Sequence, residues 1–193
     1  MKSTLKISAL VLAFAGLTYT AKAQTAPTST TTNSNGVRLS IGVETGIPTG
    51  KLNDSHNWNL GGSVQADIPV AEQLFVTVNA GYNNIFGKTV GTVSATDIQL
   101  LPVKAGLKYF LVSNFYVQGE AGAGFALNKK DLGFDNSAAF VWAPQVGIQF
   151  PVGNKSYLDA GIRYEASTKF NSLVNDSKIN FLGLRLAYAF DTK

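Results

Sequence analysis

From Val37 to the end of the chain, apolar and polar residues alternate with a period of two, which is the pattern of β-strands. Over residues 37–47, Val37, Leu39, Ile41, Val43 and Ile47 take one phase, and Arg38, Ser40, Gly42, Glu44 and Gly46 take the other. The same separation recurs over residues 58–70, 74–83, 98–111, 115–127, 140–152 and 157–166. It returns in the closing stretch "FLGLRLAYAFDTK", where Leu182, Leu184, Leu186, Tyr188 and Phe190 oppose Gly183, Arg185, Ala187 and Ala189. The pattern predicts eight strands, near the length of about 9–11 residues that a tilted strand needs to cross a bilayer. The connections alternate too: 71–73, 112–114 and 153–156 are short, whereas 48–57, 84–97, 128–139 and 167–178 are long. Short turns on one rim and long loops on the other are the asymmetry of a transmembrane barrel.

The placement of charge identifies the two faces. Arg38, Glu44, Asp67, Lys104, Lys108, Glu120, Asp159, Arg163, Glu165 and Arg185 all fall on the glycine-rich phase. A basic side chain on the lipid face at mid-membrane costs about 2–4 kcal/mol, so these charges are expected inside and the bulky rows against hydrocarbon. Glycine on the inner phase suits an eight-stranded barrel, whose interior is only just wide enough for side chains. Five basic and five acidic residues predict a paired network that fills the lumen, because each unpaired buried ion costs several kcal/mol. A lipocalin-like soluble barrel with the bulky rows turned inward around a ligand is the alternative topology of the same pattern. The abundance of glycine opposite the bulky face argues against it.

The chain resembles the small eight-stranded outer-membrane β-barrel family, the OmpA- and OmpX-like barrel domains, over residues 37–190. The final "LAYAF" (186–190) matches the family's terminal strand. The resemblance implies an all-β, eight-stranded antiparallel up-and-down barrel in a Gram-negative outer membrane, with both termini in the periplasm and four loops outside. It also implies that Tyr188 and Phe190 form the signal read by the barrel-insertion machinery. The trailing "DTK" departs from the family pattern, which commonly stops at the aromatic.

Some positions break the alternation. Pro102 and Pro144 lie inside strands of a sheet with no free edge, so each requires a bulge or a local break. Phe75, Phe110, Val141 and Phe181 fall on the inner phase and are expected at the barrel ends.

Composition changes the picture at the N-terminus. Lys2 and Lys6, the apolar run "ISALVLAFAGL" (7–17) and "AKA" (21–23) read as a secretory signal over residues 1–23. The run is shorter than the roughly 20 apolar residues of a membrane-spanning helix. Residues 24–36, "QTAPTSTTTNSNG", lack large apolar side chains and read as a flexible lead-in, leaving 37–193 as the barrel. Without Lys2, Lys6 and Lys22, the 16 basic residues become 13 against 12 acidic, which removes any charge-based case for nucleic-acid binding.

Candidate chemistry is sparse. There is no cysteine, so thiolate metal sites and thiol catalysis are excluded. The single histidine, in "DSH" (54–56), sits in the first long loop, where three adjacent residues do not easily converge as nucleophile, base and orienter. No loop has the acidic spacing of a calcium site, and "GEAGAG" (119–124) lacks the lysine and following helix of a phosphate loop. Neither a cofactor nor an enzymatic activity is expected. The expected partners are outer-membrane lipid, the insertion machinery and a surface partner reached through the loops, and the expected state is a monomer. A narrow pore, or less favourably a loop-borne enzyme, is the alternative.

Overall fold

The computed structural model describes residues 36–171 and 177–192. The signal expected over 1–23, and all of the 24–36 lead-in except Gly36, lie outside the described residues. In chain order the elements are β1 (Arg38–Pro48), α1 (Leu52–Ser55), β2 (His56–Ala71), β3 (Leu74–Gly87), β4 (Thr89–Val90), β5 (Val93–Ser94), β6 (Ile98–Phe110), β7 (Phe115–Ala126), α2 (Lys129–Leu132), β8 (Ala138–Gly153), β9 (Ser156–Ser167) and β10 (Asn180–Asp191). Eight of the strands form a closed barrel in the order β1-β10-β9-β8-β7-β6-β3-β2, and β4 and β5 form a small hairpin between β3 and β6.

Every neighbouring pair is antiparallel, including the closing pair of β1 with β10, in which Leu39 faces Phe190, Ile41 faces Tyr188 and Glu44 faces Arg185. Because side chains alternate faces, a one-residue slip anywhere would turn a whole apolar row inward. The rows do point outward: Leu184 is 59% exposed, Val64 55% and Ile41 53%. All ten charges of the inner phase are buried. The soluble-barrel alternative, with bulky rows around a central ligand, is therefore not the fold of this chain.

Pro102 and Pro144 each resolve into a local break without a bulge. Pro102 pairs with Gly124 of β7, but the β3–β6 ladder skips from Ala80↔Val103 to Asn83↔Leu100 with its register unchanged. Pro144 pairs with Gly119, and the β8–β9 ladder skips from Trp142↔Ala166 to Gln145↔Arg163. A missing N–H on one side thus interrupts one ladder and leaves the other intact.

Several strands run past their expected ends. The apolar alternation stops near Trp58 and Asn83, yet pairing continues to His56↔Gly87. Asn84, paired with Leu60, interrupts the outer row before Phe86, and Asn57 lies exposed beyond Trp58, where the wall continues as hydrogen-bonded backbone. His56, expected within the loop 48–57, is consequently the first residue of β2.

Candidate functional site

The interior is filled in three layers. At the rim of short turns, Phe75, Phe110 and Tyr116 form a buried aromatic cluster, with Phe110 5.6 Å from both other rings. At the opposite rim, Leu52, Ile85, Ile98, Leu100, Phe170, Ile179 and Phe181 gather into a second buried apolar cluster, against which Leu132 and Phe134 pack. Phe75, Phe110 and Phe181 lie at the barrel ends, as their phase requires in a polar lumen, whereas Val141, expected with them, is buried opposite Gly122 and belongs to neither end cluster.

Between the two clusters runs a chain of ion pairs that alternates in sign. Glu165 pairs with Lys104, which approaches Glu120 at 3.9 Å; Glu120 then pairs with Arg163 at 3.4 Å and Arg163 with Glu44 at 3.1 Å. Glu44 pairs with Arg185 at 3.5 Å, Arg185 with Asp159 at 3.3 Å, Asp159 with Lys108 at 3.7 Å and Lys108 with Asp67 at 2.6 Å. Nine of the ten charges expected inside thus meet in one series. The tenth, Arg38, pairs with Asp191 at 2.7 Å and lies 3.9 Å over the Tyr157 ring. It joins the series through Gln149, which accepts from Arg38 Nη1 at 2.7 Å and donates to Asp159 Oδ2 at 2.6 Å.

Neutral side chains supply the remaining partners. Tyr116 donates its hydroxyl to Asp159 Oδ1 at 2.8 Å and accepts from Gln145 Nε2 at 2.6 Å. Its ring fits because Gly147 and Gly161 line its slot: a Cβ at Gly147 would lie 2.4 Å from the Tyr116 ring, and one at Gly161 would lie 3.1 Å from its hydroxyl. Gln65 donates to Asp67 at 2.6 Å and accepts from Asn79 at 3.1 Å, and Ser63 donates to Glu44 at 2.6 Å. Sequence reasoning placed most of these on the inner phase without assigning them partners. It overlooked Asp191, whose odd position on β10 shares the parity of Arg185 and so was already a signal.

Outside, aromatic side chains collect near both rims of the apolar band. Trp58 stacks on Phe86 at 4.5 Å and Trp142 meets Tyr164 edge-on at 5.8 Å toward the loops. Tyr109, Phe150 and Phe190 are exposed toward the turns. Such girdles mark the two interfaces of a membrane barrel. The two aromatics expected to form an insertion signal lie on this outer face, with Tyr188 donating to Ser156 Oγ at 2.8 Å and its ring 6.4 Å from Phe190.

The "DSH" stretch lies beyond Trp58, above the aromatic girdle. Two of its three residues do meet: Ser55 Oγ lies 2.8 Å from His56 Nδ1. Thr96 O, 3.2 Å from Nε2, accepts the ring proton in the tautomer that leaves Nδ1 to accept from Ser55. Burial holds the imidazole below its usual pKa, so it is neutral at neutral pH. Asp54 is exposed, and among the described residues no carboxylate hydrogen-bonds to His56.

An apolar band, girdles at its rims and a charged interior in a closed eight-stranded sheet define a transmembrane β-barrel. A family model for the outer membrane protein beta-barrel domain matches residues 9–190. The chain belongs to that family, and the protein is an outer-membrane barrel. Among solved structures, Neisserial surface protein A is 17% identical with a TM-score of 0.60, covering 81% of this chain and 97% of its own. Ail of Yersinia pestis in a phospholipid nanodisc is 19% identical with a TM-score of 0.52, covering 80% and 99%. No curated protein matches the chain in sequence.

Proposed function

We propose that this protein is a closed barrel whose lumen passes no solute and whose role lies at the cell surface, where its four loops meet a partner. The observation that carries this reading is the layered interior, in which an ion-pair series is capped at each end by buried apolar side chains. An ion crossing would have to displace paired charges that are held out of water, then pass an apolar layer offering it no ligands. The turns and both chain ends face the periplasm, and the loops face outward. The barrel acts as a monomer, and Tyr188 and Phe190 are the residues read by the insertion machinery. Catalysis is not part of this function, since among the described residues no carboxylate hydrogen-bonds to His56 to orient the Ser55–His56 contact.

Planar-bilayer recording tests the closed lumen. The folded protein adds no conductance above the bare membrane, whereas steady unitary steps would replace this reading with the narrow pore. Trypsin applied to intact cells tests the orientation: cleavage after Lys129 or Lys130 is expected, and protection of both with cleavage at Lys155 would invert the topology.

A further inference from the structure

The four connections at the loop rim converge on one pocket of about 330 Å³, within the range of roughly 300–1,000 Å³ typical of small-molecule sites. Its walls come from the segment around α1, the approach to β6, the α2 region and the described residues before β10. The floor is apolar: Leu52, Ile98 and Ile179 are buried there, and Leu132 and Phe134 pack against them. The mouth carries Lys51 and Lys178, both exposed, and neither has an ion-pair partner among the described residues. Among the described residues lining the pocket Asp131 is the one carboxylate, and burial holds the His56 imidazole below its usual pKa, so the balance of that lining is positive.

We propose that this pocket binds a small amphiphilic organic anion, with its hydrocarbon part on the Leu52–Ile98–Ile179 floor and its carboxylate between Lys51 and Lys178. Two cations with no ion-pair partner among the described residues, at the edge of a greasy recess, complement an anionic head joined to an apolar tail. A cationic head would meet like charge, and a neutral one would leave both lysines unused. The site needs only the loop rim, so it stands whether or not the lumen conducts.

Octanoate is a suitable probe. The full-length barrel in lipid nanodiscs is dialysed to equilibrium against radiolabelled octanoate, with empty nanodiscs subtracted. Saturable one-site binding is expected, at least tenfold tighter than for octylammonium. Hexanoate binds weaker by about fourfold for each methylene removed. Lys51→Glu with Lys178→Glu reverses the preference toward octylammonium, and Lys51→Met with Lys178→Met abolishes it. Both pairs of substitutions are at exposed positions, and gel mobility with and without boiling confirms that the variants fold. No saturable binding above empty discs, equal affinity for the two head groups, or unchanged octanoate binding in the Glu variant would overturn the assignment.

Discussion

Replacing Arg163 by methionine removes the cation at the middle of the ion-pair series and keeps an unbranched chain of similar reach. Arg163 pairs with Glu44 at 3.1 Å and Glu120 at 3.4 Å, and donates to Gln145 Oε1 at 2.8 Å. The carboxylates are not wholly abandoned: Glu44 keeps Arg185 and Ser63, and Glu120 keeps Lys104 and Thr77. Breaking a buried pair costs about 3–5 kcal/mol, and the surviving partners place Arg163→Met near the lower end. Glu44→Gln alone leaves Arg163 short of an anion. The double variant removes both ends of the pair, so its loss should fall below the sum of the single losses by about 1–3 kcal/mol. Urea unfolding in lipid vesicles reads the free energies, with the lipid-facing Trp58 and Trp142 as fluorescence reporters. Lys130→Met on the exposed part of α2 is the control, expected within about 0.5 kcal/mol of the parent. If Arg163→Met costs under about 1 kcal/mol and the double variant is additive, the pair behaves like a solvent-screened surface pair, and the account of a dry interior fails.

Other perturbations probe the remaining layers. Val64→Arg puts a cation on the lipid face and should destabilise the barrel by about 2–4 kcal/mol in the same unfolding assay; a neutral outcome would mean that this row is wetted by water. Tyr116→Phe strips the hydroxyl shared by Asp159 and Gln145 and should cost about 1–3 kcal/mol, while Gly147→Val, which drives a side chain into the Tyr116 ring, should yield no heat-modifiable band on a gel. Phe190→Ala should lower the amount of folded barrel in the outer membrane of cells without slowing refolding of the purified chain into detergent; equal losses in both would make Phe190 structural rather than a signal. Because the folded His56 pKa lies below its unfolded value near 6.5, the native cap binds fewer protons than the unfolded chain as pH falls through that range. The protection factors of amides around Thr96, taken relative to intrinsic exchange at each pH, should therefore fall below pH 6.5, and His56→Gln should flatten that response.

Parity within strands was sufficient to assign the two faces, because a barrel wall has only two sides and their solvents differ greatly. It was weaker at the strand ends: on β3 the outward Asn84 and the inward Ile85 invert the expected polarity before Phe86 rejoins the outer row, so the pattern is lost although the ladder continues. Which charges meet was not legible. Arg38 reaches Gln149, and Arg163 reaches Glu44, across the lumen from strands far apart in sequence, at heights set by the stagger of the closed sheet. Phe75, Phe110 and Phe181 registered as exceptions to the alternation, and only the closed barrel shows that they collect into two end layers. The loop-rim pocket was invisible for a similar reason, since Lys51, Ile98, Leu132 and Lys178 come from four separate connections that nothing local draws together.

The outward orientation of the bulky rows can be measured most directly with spin labels, because the chain has no native cysteine. Single substitutions Ile41→Cys, Val64→Cys, Leu107→Cys and Leu184→Cys are labelled in the vesicle-embedded barrel, and collisions with oxygen and with a water-soluble nickel chelate are compared by electron paramagnetic resonance. All four labels should be open to oxygen and shielded from nickel, as hydrocarbon contact requires. Labels shielded from both reagents, or readily reached by nickel, would contradict the claim that lipid covers these rows.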